Sequence, residues 1–222
     1  MSNDNFSSLI NNTNREQRRR MVLKLRNKGI TDPNLLEAMA FVPREFFASS
    51  AFVNNCYEDT ALPIAAGQTI SQPSTVAFQT QLLGVRIGSK ILEIGTGSGY
   101  QACILKVLGA KVFSVERIEE LYIRANEIFR HLNLKINLKL ADGTLGWSSF
   151  APFDGIVVTA GAPTIPEELK AQLAIGGRLV IPAGDLHNQS MHVITRISPS
   201  NYSDEVFGNF HFVPLIGRYG WQ

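Results

Sequence analysis

Apolar and polar positions change period along the chain in a regular way. From Lys90 onward, short apolar runs alternate with helical spacing. Lys90–Ile94 reads as a buried strand, followed by a helix over Tyr100–Leu108. Lys111–Val115 is the next strand. Glu119–Leu132 follows as a helix, with Leu121, Ala125, Ile128 and Leu132 at helical spacing. Asn137–Leu140 and Gly155–Thr159 are short strands. Thr164-Ile-Pro-Glu167 fits a capping box for a helix ending near Leu173, and Arg178–Ile181 is the strand after it. Strands separated by helices predict a parallel sheet covered on both faces. The last part differs: Met191–Ile197 and Val206–Val213 are strand-like with only the turn-rich Ser198–Asp204 between them, so antiparallel pairing on the far edge is expected.

Upstream the pattern is helical and then irregular. Met1–Asn14 is polar, is expected to fray, and lacks the apolar segment of a signal peptide. Arg15–Lys28 reads as a basic helix with Met21, Val22 and Leu25 as its apolar stripe, stopped by Gly29. Its Arg18-Arg19-Arg20 triplet reads as a solvated face. Asp32-Pro33 opens a short helix through Ala40. A further helical piece is expected over Arg44–Ser49, then a long ordered loop over Asn54–Gln72, then a helix over Pro73–Leu83. A loop of that length inside a compact domain points to function. The expected organisation is a flexible terminus (1–14), helices with a substrate and cofactor loop (15–83) and an α/β core (84–222), as one compact domain overall. The fold class is α/β, a Rossmann-like doubly wound, mostly parallel sheet with an antiparallel edge strand and an N-terminal helical extension.

Candidate chemistry concentrates at Ile91–Tyr100, where the strand runs into Gly95, Gly97 and Gly99. Glycines there let the backbone turn and approach a ligand, as at the front edge of a nucleotide site. The spacing is G-x-G-x-G rather than the dinucleotide G-x-G-x-x-G, and Glu93 precedes the first glycine by two residues. A carboxylate there would repel a pyrophosphate and attract a cation. The pattern therefore favours S-adenosyl-L-methionine over a nicotinamide dinucleotide. Two further acids stand at strand ends. Glu116, about twenty residues after the first glycine, is placed to accept ribose hydroxyls, and Asp142-Gly143 to meet the adenine amino group. Asp154 precedes its strand and reads as a turn residue.

Composition narrows the classes. With 222 residues and 45% hydrophobic content the chain can bury a sizeable core. A net charge of +2 gives no strong field for gripping nucleic acid. No apolar run reaches the roughly 18 residues of a membrane span. Cys56 and Cys103 read as free thiols of a reducing cytoplasm, and four scattered histidines argue against a metal site.

Several segments together resemble the protein-L-isoaspartate O-methyltransferase family. These are Leu62-Pro63-Ile64, Gly67-Gln68-Thr69-Ile70-Ser71-Gln72-Pro73, Leu92–Ala102, Val115-Glu116-Arg117, Asp142-Gly143, Pro152-Phe153-Asp154, Gly176–Pro182 and Phe212-Val213-Pro214-Leu215. They occur in the family's order from about Thr31 to Leu215. Thr60 and Ala65-Ala66 depart from its usual pattern, both in the loop expected to meet substrate. The resemblance implies methyl transfer from S-adenosylmethionine to the free α-carboxyl of L-isoaspartyl residues in damaged proteins, which starts their return to aspartate through a succinimide. It also places the active-site serine at Ser71 and part of a cofactor lid at Gln68, Thr69 and Ile70. From the residues alone, Ser71 could equally N-cap the helix at Pro73. The partners implied are isoaspartyl proteins and peptides, with no nucleic acid, membrane or metal. Alternatives are a methyltransferase with another acceptor (a small molecule or RNA), a non-catalytic binding protein of the same fold, or, less favoured by the glycine spacing and Glu93, a nicotinamide oxidoreductase.

Overall fold

A computed structural model describes residues 14–222, so the polar opening lies outside the described residues except for Asn14. Helix α1 (Arg15–Asn27) turns Met21 and Leu25 inward. It also turns in Arg18, which is 4% exposed, so the arginine triplet is not wholly a solvated face: only Arg19 and Arg20 are exposed. Helix α2 (Pro33–Phe41) starts as expected, with the Asp32 carboxylate accepting the N–H groups of Asn34 and Leu35. The helical piece expected over Arg44–Ser49 is only a 3-10 turn, Arg44–Phe46, with a second at Ser50–Asn55.

The loop before the sheet carries some order of its own. Strands β1 (Leu62–Pro63) and β2 (Thr69–Ile70) pair antiparallel around a tight turn at Ala65–Gly67. Within that turn Ala66 and Gly67 both take positive φ. Helix α3 (Pro73–Leu83) follows and ends on left-handed Gly84, the usual device for stopping a helix.

The core alternates as the periodicity predicts: β3 (Lys90–Ile94), α4 (Tyr100–Val107), β4 (Lys111–Glu116), α5 (Glu119–His131), β5 (Asn137–Leu140) and β6 (Phe153–Val158). Asp154 therefore lies inside its strand, where it accepts the backbone N–H of Lys90 at 2.7 Å. Next come α6 (Glu167–Ala171), β7 (Leu173–Gly184), β8 (Gln189–Arg196) and β9 (Tyr202–Phe210). The seven-stranded sheet has the order β5-β4-β3-β6-β7-β8-β9. It is parallel from β5 to β7, and β8 is antiparallel to both neighbours. Chain progress reverses at β3, which has β4 on one side and β6 on the other. That is a topological switch point, where α/β sheets open a crevice.

Two elements differ from their sequence signals. Helix α6 stops at Ala171, and Leu173 already belongs to β7. Thr164 does not cap it; Pro166 occupies the N-cap without a side-chain hydrogen bond. Had Thr164 been the cap, Ile165 would need helical torsions immediately before a proline, which the proline ring disfavours. The final strand also starts earlier than expected, at Tyr202, because the chain reverses tightly between Ile197 and Asn201. Ser203 and Asp204, read as turn residues for their polarity, sit on an exposed edge where polarity is compatible with a strand. There Asp204 pairs with His192 of β8 at 2.9 Å.

Buried side chains line both faces of the sheet. Leu92, Ile94, Phe113, Ile156 and Leu179 belong to one cluster, and Ile91, Val112, Val157 and Val180 to another. A third joins the N-terminal helices to α4 through Met39, Phe47, Tyr100 and Ile104. Burial on this scale, at about 25 cal/mol per Å² of apolar surface, fixes β3 and α4 rigidly. The glycine turn between them is anchored at both ends.

Candidate active site

The carboxyl ends of β3, β4 and β6 open onto a cavity at the switch point. The 68–71 loop forms one wall and the glycine turn another. The segment Val213–Ile216 closes a third. That segment is held by paired backbone bonds: Gly161 donates to Val213 and Leu215 donates to Gly161, each at 2.8 Å.

Gly95, Gly97 and Gly99 all have positive φ, at 89°, 54° and 87°. A Cβ on Gly95 would collide with the Thr159 hydroxyl, and one on Gly99 would come within 2.8 Å of the Phe129 ring. Gly95 and Gly97 line the cavity. Gly99 sits behind them and permits close packing of α4 against α5. The turn is locked by Glu116, which is 4% exposed. Its carboxylate accepts the N–H of Gly97 at 2.8 Å on one oxygen, and those of Arg117 and Ile118 at 2.8 and 2.9 Å on the other.

Glu93 is fully buried on the cavity wall. One oxygen accepts from the Ser114 hydroxyl at 2.5 Å, and Ser114 also shares a 2.5 Å contact with Thr96. The other oxygen has no hydrogen-bond partner among the described residues. Burial, reinforced by the nearby Glu116 charge, pushes the carboxyl up to about 8 despite the Ser114 bond. The unfolded chain releases this proton near 4.5, whereas the folded protein holds it to about 8. Between those values the unfolded state binds fewer protons, so the ligand-free protein loses stability as pH rises through the window. Glu93→Gln is expected to remove that loss. Thermal denaturation across the window checks it: a wild-type-like pH slope in the variant would show that Glu93 is not the group responsible.

Asp142 lies two residues beyond β5 rather than ending it, where it N-caps the 3-10 turn Gly143–Leu145, and it does not itself line the cavity. One oxygen accepts the Thr144 N–H and hydroxyl at 2.8 and 2.7 Å, and the other accepts the N–H of Arg218 at 2.8 Å. Burial opposes its charge, but these donors outweigh it and hold the carboxyl below the usual range. Its neighbour Gly143 does reach the cavity.

In the loop, Gln68, Thr69, Ile70 and Ser71 all line the cavity. Gln68 accepts the N–H of Ile64 at 2.8 Å through its carbonyl, so its position follows from the β1–β2 ribbon. Ser71 does not cap α3. Gln72 is the N-cap residue and makes no side-chain cap bond. The serine carbonyl accepts from Arg44 Nη2 at 2.7 Å, while Arg44 Nε donates to Cys56 at 2.7 Å. The guanidinium is 0% exposed and stacks 4.6 Å from the centre of the Tyr100 ring.

Three of these contributors are absent from the sequence reading. Arg44 carries no sequence signal, since nothing distinguishes it from a surface arginine. Ser114 had one: it is a lone polar residue in an apolar strand, directly opposite Glu93 in the parallel register. Gln101, 6% exposed on the cavity wall with an unpartnered amide nitrogen, stands next to the glycines inside the Leu92–Ala102 motif, which by itself gives it no role. Among the described residues no group of His, Cys, Asp or Glu is arranged to hold a metal, and no helix is long and apolar enough to cross a membrane.

Comparison with known proteins adds three findings. The profile of the family described as protein-L-isoaspartate(D-aspartate) O-methyltransferase matches residues 16–220. A protein-L-isoaspartate O-methyltransferase of Pelodictyon phaeoclathratiforme is 53% identical over 207 residues, covering 93% of this chain and 94% of its own. One of Flavobacterium psychrophilum is 50% identical over 200 residues, covering 90% and 93%. Among solved structures, a protein-L-isoaspartate O-methyltransferase superposes with a TM-score of 0.83 at 27% identity, over 91% of this chain and 67% of that one. A Plasmodium falciparum structure described as the same enzyme, in complex with S-adenosyl-L-homocysteine, gives 0.76 at 26% identity, over 89% and 97%.

Proposed function

This chain belongs to the protein-L-isoaspartate(D-aspartate) O-methyltransferase family, and from that premise we propose that it transfers a methyl group from S-adenosylmethionine to the free α-carboxyl of L-isoaspartyl residues in damaged proteins and peptides. The observation that carries this reading is the meeting of the 68–71 loop and the glycine turn in one cavity. A donor site and an acceptor-facing loop then face one cavity from adjoining walls.

The residues fit the donor. A cation with an ammonium group suits the unpartnered oxygen of buried Glu93. Gly95 and Gly97 bring bare backbone to the cavity wall, and at Gly97 a Cβ would meet only Ile64, at 3.8 Å. Glu116, already fixed by three N–H groups, retains one of its roughly four lone-pair sites for a ribose hydroxyl. Gly143, with Asp142 behind it, borders the place for the adenine. Gln68, Thr69 and Ile70 cover the donor from the loop side.

S-adenosylmethionine supplies a methyl group already activated on a cationic sulfur. The acceptor carboxylate is ionised at neutral pH, so no general base is required. The protein's share of the work is alignment and exclusion of water. Holding two reactants at attack distance supplies on the order of 7–11 kcal/mol. Ser71 is the residue we assign to the acceptor. Its backbone is pinned by Arg44, and its hydroxyl, spared from capping α3, can donate to the carboxylate. We place the protein in a reducing cytoplasm, consistent with two buried free thiols, Cys56 and Cys103.

An isoaspartyl peptide and its normal aspartyl twin, incubated with labelled donor, test the reading. Methyl incorporation into the isoaspartyl form alone is expected. Equal or absent labelling of the two, with donor binding intact, would point to another acceptor.

A further inference from the structure

Gln101 lies in the first turn of α4 on the cavity wall, 6% exposed, with its amide nitrogen withdrawn from solvent and unpartnered among the described residues. Glu93 shows the complementary shortfall on the same wall: one oxygen makes no hydrogen bond of good geometry, and the backbone N–H of Ala102 only favours the carboxylate's charge from nearby. Native interiors seldom leave such groups unpaired, so each calls for an explanation. Had the two bonded to each other, neither would be orphaned. An unpaired donor and an unpaired acceptor together match a zwitterion, whose carboxylate needs the first and whose ammonium needs the second. The N-terminal end of α4 adds partial positive charge beside Gln101. The charged group that could compete for a carboxylate here is Arg117, the basic residue among those lining the cavity, where Thr69, Ser71, Thr96 and Ser98 also present hydroxyls. Arg117 is exposed and lies towards Asp142, whose charge it helps to hold.

Resting on the donor site of the preceding section, we propose that Gln101 receives the carboxylate of the amino-acid end of S-adenosylmethionine while Glu93 takes its ammonium. Gln101 is then a binding residue that selects donors carrying the intact α-amino acid. It does so by hydrogen bonding rather than by charge, which keeps a second ion out of a wall where Glu93 is already buried. The nitrogen and oxygen of its amide exchange places by a half-turn of the last side-chain bond. The side chain can thus present its N–H groups without moving α4.

Titration calorimetry with three ligands separates this role from general packing. The ligands are S-adenosylmethionine, decarboxylated S-adenosylmethionine and 5′-methylthioadenosine. The wild-type protein is expected to prefer the first over the second by about tenfold or more, the size of one hydrogen bond to a charged group. Gln101→Leu is expected to erase that preference by weakening S-adenosylmethionine alone, with the other two affinities unchanged. Because leucine replaces an unpartnered buried amide, the ligand-free melting temperature should hold or rise. Equal weakening of all three ligands, an unchanged preference, or a drop in ligand-free stability would overturn the proposal. Failure of the wild-type protein to bind any of the three would overturn the donor site itself, a distinct outcome.

Discussion

Replacing Glu116 with alanine is expected to weaken S-adenosylmethionine binding by about 1.5–3 kcal/mol, or roughly ten- to hundredfold, for the loss of a charge-assisted contact to the ribose. The loss extends beyond the ligand. The same carboxylate satisfies the N–H groups of Gly97, Arg117 and Ile118, so its removal also loosens the turn that shapes the cavity. Two measurements separate these effects. Ligand-free melting temperature reports the turn, and calorimetric affinity reports the donor. Glu116→Gln keeps an acceptor oxygen but sets an NH2 group against one of those backbone donors, so it should fall between wild type and alanine in both. Affinity unchanged in the alanine variant would remove Glu116 from the donor site.

Ser71→Ala should act on a different quantity. If the hydroxyl holds the acceptor carboxylate in line with the methyl group, its loss lowers turnover about ten- to hundredfold through misalignment. Donor affinity changes little, because Ser71 holds the loop through its carbonyl, which accepts from Arg44 and survives the substitution. Single-turnover rates and calorimetry on the same preparation make the comparison. A parallel loss in both would assign the serine to loop structure.

How far the sequence revealed these features depended on whether each feature is local. The glycine turn and the strand before it are local, and so were visible. Glycines at positive φ next to an apolar strand have few other uses. The helix–strand alternation was legible for the same reason, since its period is set by burial on one face. Signals that compete locally mislead. Thr164 and Glu167 have capping-box spacing, but Pro166 between them imposes extended backbone on Ile165. Polar Ser203 and Asp204 looked like turn residues because an outer strand tolerates polarity. Contacts between distant segments were out of reach. Arg44 ties Cys56 to Ser71 and stacks on Tyr100, bringing together residues far apart in the chain. No window of sequence contains that arrangement. Ser114 is the intermediate case: its significance depends on register with Glu93, which the strand lengths would have allowed one to align.

The outer margin of the sheet bears on how such a protein coexists with unfolded chains. Strand β9 ends the sheet with exposed Asp204 and Glu205, and an extra residue at Gly208 throws its pairing with β8 out of step. Acidic side chains and a bulge of this kind blunt an otherwise inviting row of backbone donors and acceptors. An extended segment of a passing polypeptide is thereby denied a template along that rim, and aggregation seeded there is discouraged.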